Sequence, residues 1–196
     1  MIKCEADLRH WIQQDAQAMG IKNRSMASKL KVYLTNPRWR FIILLRNVEF
    51  YRNKRRSLFE KVVYAFYFYR YKTLSLKLGF SIPPNVFGPG LSLPHYGTIV
   101  VSKQAKIGAN CRIHVCVNIG ASGGNNEAPS IGDNVYIGPG AKLFGAIKIA
   151  NGVSIGANAV VNKTFEEENV IIGGIPAKIL RRDAALWWEL NKLDLK

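Results

Sequence analysis

Cysteine is scarce in this chain of 196 residues: Cys4, Cys111 and Cys116 make an odd count with no Cys-x-x-Cys pair. Neither a disulfide framework nor a zinc site is expected from such a set, and no metal is predicted. Histidine is as sparse, limited to His10, His95 and His114. Acidic residues are few as well, 13 against 28 Lys and Arg, for a formal net charge of +15. The imbalance is concentrated in residues 1–80, which hold 17 Lys or Arg and 5 Asp or Glu. A basic half fits a polyanion, an anionic membrane surface, an anionic substrate or simply a solvated face. Long apolar runs are absent too. Phe41–Leu45 and Val62–Tyr69 are too short to span a bilayer. The N-terminal stretch MIKCEADLRHWIQQDAQAMG has no apolar run before a cleavage site, so no signal peptide is expected. The expected location is the cytoplasm, with the inner face of the membrane as the alternative.

What is abundant is a rhythm. Ile107, Ile113, Ile119, Ile131, Ile137, Leu143, Ile149, Ile155 and Val161 fall on one six-residue beat, missed once between Ile119 and Ile131. Two residues before each stands a small or compact apolar residue, from Ala105 and Cys111 to Ala159, and Gly often follows the beat. A period of six matches neither a helix nor a single strand and points to a parallel β-helix of hexapeptides. The aliphatics then line the interior, and the small residues let the chain turn its corners. The missed beat, Gly120–Ser130 (GASGGNNEAPS), is too rich in Gly, Ser and Asn to pack inward and is predicted to leave the prism as a loop.

Residues 1–79 read as helical. Leu8, Trp11, Ile12 and Met19 keep helical spacing, and Gly20 closes that segment. A second helix covers Ser25 to Leu34, and Pro37 opens a third at its first position. Ser57-Leu58-Phe59-Glu60 is a capping-box signature for a fourth helix ending at Gly79. That helix interleaves Phe59, Phe66, Tyr67 and Tyr69 with Lys61, Arg70, Lys72 and Lys77. Such a pattern suits helix packing in an oligomer or peripheral contact with a membrane. No nucleic-acid motif accompanies the charge, and no nucleic-acid partner is expected. The fold class is therefore mainly β: a small basic, aromatic-rich helical region (1–79), a β-helix (80–180) and a short C-terminal helix (181–196). Asp183 is the expected cap of that last helix, with Leu186, Trp187, Leu190 and Leu193 on one face.

His95 and His114 are separated by little more than three hexapeptides. One coil of three hexapeptides takes about 18 residues, so the two belong on neighbouring coils, about 4.8 Å apart and near one edge. His114 follows Ile113, where Gly is the usual choice, and is expected to point outward. Imidazole titrates near neutral pH and is the natural base for a hydroxyl proton, whereas an isolated histidine is more often a surface or structural residue.

Residues 82–180 resemble the left-handed β-helix, hexapeptide-repeat acyltransferases, and within them the serine acetyltransferase branch. The resemblance rests on His95-Tyr96-Gly97-Thr98-Ile99-Val100-Val101, similar to that branch's His-x-Thr-Gly-Ile-Val-Val. It rests further on Ile137-Gly138-Pro139-Gly140-Ala141-Lys142, Ile155-Gly156-Ala157-Asn158-Ala159-Val160-Val161 and Gly174-Ile175-Pro176-Ala177-Lys178-Ile179. It implies acetyl-CoA as co-substrate and no metal. His95 becomes the general base for direct attack of a hydroxyl on the thioester; His114, read from its spacing to His95 and not from the resemblance, is expected to bind the acceptor or assist proton transfer. Ala121, Gly138, Pro139 and Ala157 would follow the pantetheine, Pro176 the adenine and Lys178 the CoA phosphates. Tyr96, Asn118 and Glu127 would face the acceptor, in a cleft between the prisms of a homotrimer, alone or paired into a dimer of trimers.

The departures from that branch bear on the acceptor. Its Asp fifteen residues before the histidine is Phe80 here, and its Asp immediately before the histidine is Pro94. Its loop Arg-His pair, which grips the carboxylate of serine, is replaced by Glu127 and Ala128. Exchange of an Arg for a Glu disfavours an amino-acid carboxylate. The acceptor expected on that ground is a sugar hydroxyl in surface-polysaccharide or glycolipid assembly. The alternatives are serine itself, in cysteine biosynthesis, and a catalytically inactive structural trimer.

Overall fold

The computed structural model describes every residue except 23, 24, 55, 56, 124, 125, 188 and 190–196. Among the described residues four helices precede thirteen short strands. The helices are α1 (Glu5–Ala18), α2 (Met26–Thr35), α3 (Pro37–Lys54) and α4 (Leu58–Leu78). Their ends follow the local chemistry of the sequence. Ser25 accepts from the Ser28 backbone N–H at the start of α2, and Ser57 and Glu60 form a reciprocal capping box on α4. Gly79 closes α4 in the left-handed region at φ 75°, where other residues are strained. Helix α3 is the central one, burying Trp39, Phe41, Ile42, Leu44, Leu45 and Val48.

Three faces of parallel strands form a β-helix. The first holds β1 (Phe80–Ser81), β2 (Ile99–Val101), β5 (Asn118–Gly120), β8 (Lys142–Phe144) and β11 (Val160–Val161), stacked in that order. The second holds β3 (Lys106–Ile107), β6 (Ser130–Ile131) and β9 (Lys148–Ile149). The third stacks β4 (Arg112–Ile113), β7 (Tyr136–Ile137), β10 (Ser154–Ile155) and β12 (Ile171–Gly174), and an antiparallel strand β13 (Ala177–Arg181) finishes it. All nine beat residues point inward, none more than 4% exposed. Cys111 shares that interior, where burial pushes its thiol well above the usual range.

The corners turn one residue earlier than the small residues suggest. Asn110, Cys116, Asn134, Gly140, Gly152 and Asn158, each three residues after a beat residue, hold φ between 55° and 77°. Asn and Gly enter that region at little cost, and the small apolar residue that follows is the buried inner wall of the corner. The skipped beat leaves the prism between β5 and β6. Across it, Arg112 pairs with Tyr136 and Asn118 with Lys142, four hexapeptides on. Beyond it, Tyr136 pairs with Ser154 and Lys142 with Val160, at the regular interval of three.

The C-terminal cap is a correction. Asp183 sits at φ 52° in the left-handed region, where the extended geometry of a helix N-cap is impossible, and residues 184–186 are not helical. Among the described residues after it, helical geometry is found only at Trp187 and Glu189, and Leu190 and Leu193 lie outside the described residues.

Helices and prism are joined by buried charges. The Arg46 guanidinium, fully buried, forks onto Asp15 at 2.7 and 3.1 Å, donates to Glu49 at 2.9 Å and reaches the carbonyls of Phe87 and Gly88 in the first coil. Asp15 in turn accepts from the backbone N–H groups of Gly90 and Leu91, and Glu49 from that of Asn85. Every carboxylate oxygen of the cluster thus has a donor, the condition under which buried ions are tolerated. Burial pushes Glu49 up against the lowering pull of Arg46; burial alone would pull Arg46 down, and the two carboxylates more than reverse it. The same helices reach towards the histidines: the Leu93 N–H donates to the Met19 sulfur, and Arg38 reaches the Leu93 carbonyl.

Candidate active site

Leu93 is buried, Pro94 is half-buried, and His95 and Tyr96 come out into solvent, Tyr96 being 67% exposed. The reason is local. From Ser92 to Val100 the first coil spends eight residues where the next coil, from Arg112 to Asn118, spends six. The two extra residues cannot fit the corner and bulge outward as His95 and Tyr96. Gly97, at φ 139°, then returns the chain; a side chain there would press on Val115.

His114 occupies the same corner one coil on. Its ring lies 6.0 Å from that of His95, centroid to centroid, and 5.1 Å from Tyr136. The outward direction expected from the sequence is only part of the result, because the ring is half-buried and its Nε2 is sealed from solvent with no hydrogen-bond partner among the described residues. A buried ring nitrogen in that condition costs about 1–3 kcal/mol and marks a place where structure has yielded to another demand. Burial first, then the charge of Arg112, then His95, pull His114 down to about 4. His114 is therefore neutral at pH 7.

The sequence reading missed Arg112 and Tyr136 as neighbours of His114. Tyr136 lies across the excursion, and only counting one coil plus the inserted hexapeptide brings it into register with Arg112. Arg112 is held from the other side by Trp187, whose ring lies 5.6 Å from the guanidinium and whose indole N–H donates to the Asn110 carbonyl.

The other candidates divide into two groups. Pro139 and Ala157 are exposed on the corner that carries the histidines, each one coil further along. Backbone bonds His114 N–H to Ile137 O, Gly138 N–H to Ile155 O and Gly156 N–H to Ile172 O make this edge continuous. Pro176 and Lys178 are exposed at its far end, in the β12–β13 hairpin. Four coil spacings of about 4.8 Å give a track of roughly 19 Å from His95 to that hairpin. Gly138 is buried on this edge, and a side chain there would meet the Ile155 oxygen at 2.7 Å and the Ala157 nitrogen at 2.9 Å, so the next coil already demands glycine. Asn118 is exposed at the start of the adjoining strand. Ala121 and Glu127, both exposed, lie in the excursion beyond β5, at the opposite edge of that face. One chain does not bring them to the histidines. His10 lies in α1, apart from the pair. Among the described residues no cluster of three or more His, Cys, Asp or Glu could hold a metal ion.

Residues 128–163 match the bacterial transferase hexapeptide family (six repeats). Serine acetyltransferase of Mycobacterium tuberculosis is 37% identical over 100 residues, which are 50% of this chain and 43% of that protein. The chain thus spans about half or less of the length of the curated relatives it matches. Serine acetyltransferase of Brucella abortus, solved in complex with coenzyme A, superposes at a TM-score of 0.72 with 26% identity, covering 93% of this chain and 70% of that one. The Neisseria gonorrhoeae enzyme, solved with serine, gives a TM-score of 0.68 at 26% identity, covering 90% and 70%. In sequence over about half its length, and in fold over about nine-tenths, the chain is similar to serine acetyltransferases, and it carries hexapeptide repeats of the bacterial transferase type.

These matches overturn the expectation of a sugar acceptor in surface-polysaccharide or glycolipid assembly, because the similarity runs to serine acetyltransferases in both comparisons. That expectation rested on Glu127 and Ala128. Both belong to the excursion, which within one chain lies at the edge away from the histidines.

Proposed function

We propose that this chain is an acetyl-CoA-dependent O-acetyltransferase acting on the side-chain hydroxyl of L-serine, with His95 as general base. The observation that carries the reading is the His95–His114 pair at the head of a continuous edge, in a fold shared with serine acetyltransferases over about nine-tenths of the chain. An unprotonated ring nitrogen of His95 takes the hydroxyl proton as the oxygen attacks the thioester carbonyl. The C–O bond forms, the oxyanion collapses, the C–S bond breaks and the proton passes to the departing sulfur. No acyl-enzyme is required. Such a base contributes about 10² to 10⁴ in rate. His114, neutral, orients acceptor or base by hydrogen bonding without adding a second positive charge.

The donor would lie along the edge past Pro139 and Ala157 to Pro176, with Lys178 as a point charge for phosphate. Gly138 enters this picture only through its backbone. A prism edge is convex and supplies one wall; the second would come from a neighbouring copy in a trimer of left-handed coils, whose Ala121 would border the donor and whose Glu127 would face the acceptor, with Asn118 and Tyr96 beside the histidines. The excursion lacks an arginine, so Arg112, near enough to depress His114, is the cation offered to the serine carboxylate. Three free cysteines support a reducing compartment such as the cytoplasm. Incubation with acetyl-CoA and L-serine, followed by mass spectrometry for O-acetylserine, tests the reading; absence of that product at millimolar serine contradicts it.

A further inference from the structure

We propose that the outer face of α4 docks the protein on an anionic membrane surface, the helix lying in the plane of the headgroups. The inner face of α4 is spoken for: Tyr71, Ser75 and Leu78 are buried, and Tyr64, Tyr67 and Phe68 pack on the core. The outer face is apolar all the same. Leu58, Phe59, Val62, Phe66, Tyr69 and Leu76 are between 56% and 85% exposed. At 3.6 residues per turn they fall within an arc of roughly 100°, running about 28 Å along the helix.

Cations border that arc on both sides: exposed Lys61 and Lys72 along one margin, Arg70 and Lys77 along the other. The Arg70 guanidinium stands over the Phe66 ring at 5.7 Å and the Lys72 ammonium over Phe68 at 5.7 Å, so their stems lie along the aromatic surface while the charges flank it. The one acid on the helix, Glu60, is turned back into the capping box with Ser57. An apolar strip with a cationic fringe and no exposed acid is the pattern of a helix that rests in a membrane interface. Among the described residues no helix is long and apolar enough to cross a membrane, so the contact is peripheral.

Charge also decides against a second copy as the occupant. Two α4 strips face to face would oppose their cations, and the acids of residues 1–80 offer little relief. Asp15 and Glu49 are buried on Arg46, Asp7 and Glu60 are engaged in caps, and Glu5 is a single exposed acid in the first turn of α1. The acidic run Glu166–Glu168 follows β11 at the last coil, while α4 joins the first, so prisms set side by side in one direction keep the two apart. An anionic lipid surface meets both the strip and its fringe.

The test is co-sedimentation of the full chain with vesicles of phosphatidylcholine alone or of phosphatidylcholine mixed with phosphatidylglycerol, at low and high salt. Binding to the anionic vesicles only, weakened by salt, is expected. Arg70→Glu/Lys72→Glu should weaken it by at least about tenfold, since each basic residue near such a surface adds appreciable attraction. Phe66→Trp should show a blue shift on vesicle binding that wild type lacks, and circular dichroism keeps unfolding apart from loss of binding. No binding, equal binding to neutral vesicles, or binding indifferent to both changes overturns the proposal. So does a fall in oligomeric mass for Phe66→Ser/Tyr69→Ser, which would assign the strip to a second copy. Acetyl transfer is not read in any arm, so this result stands apart from the enzymatic one.

Discussion

His95 and His114 face each other from successive coils at 6.0 Å, and their surroundings differ: His95 is exposed on a corner bulge, His114 is half-buried against Tyr136 with Arg112 two residues away. Two imidazoles at that distance resist carrying two charges. Burial and Arg112 leave His114 as the neutral member, so it adds no second positive charge beside His95.

The His114 ring should titrate near 4 when followed by NMR, and Arg112→Gln should raise that midpoint by removing a like charge. The folded state binds this proton more weakly than the unfolded one. Its contribution to stability is therefore complete above about pH 6.5 and declines as pH falls towards 4. Partial exposure reduces the size of the effect. Thermal melts of His114→Gln against wild type over that window should show a flatter decline in the variant.

Arg112→Gln should also separate binding from chemistry. If its guanidinium meets the serine carboxylate, losing a charged hydrogen bond raises KM for serine by about 10- to 100-fold with kcat little changed. Steady-state kinetics with serine varied at saturating acetyl-CoA measure this.

Gly138→Ala places a methyl group against backbone of the next coil at 2.7 Å, where nothing flexible can give way. A loss of about 1–3 kcal/mol is expected from overpacking. Denaturant unfolding checks it, and an unchanged midpoint would mean that the coils separate more easily than their hydrogen bonds suggest.

Arg46→Met leaves Asp15 and Glu49 buried without their counter-charge. The expected loss is about 3–5 kcal/mol. Because the cluster ties α1 and α3 to the first coil, limited proteolysis should reach the helical region first.

The prism was legible because its signal is periodic: a beat of inward aliphatics survives in a single sequence, and the interval between His95 and His114 translates directly into adjacent coils. The corner bulge was not, since two extra residues before Val100 precede the regular beat and carry no phase. The Arg46 cluster joins residues from two helices and a loop, and no spacing announces Asp15 as its partner. The acceptor was misread for a related reason. The expectation rested on two excursion residues, Glu127 and Ala128, and no spacing pointed to Arg112 as a cation near enough to act on His114. Asp183 failed as a cap because its backbone turns left-handed there.

The most direct measurement is CoA release from acetyl-CoA with saturating L-serine, for wild type and His95→Ala, each with calorimetric CoA binding as a check on folding. The account predicts serine-dependent turnover in wild type, a fall of about 10² to 10⁴ in kcat for the variant, and CoA binding retained in both. Release that does not depend on serine, or full activity in His95→Ala, would contradict it.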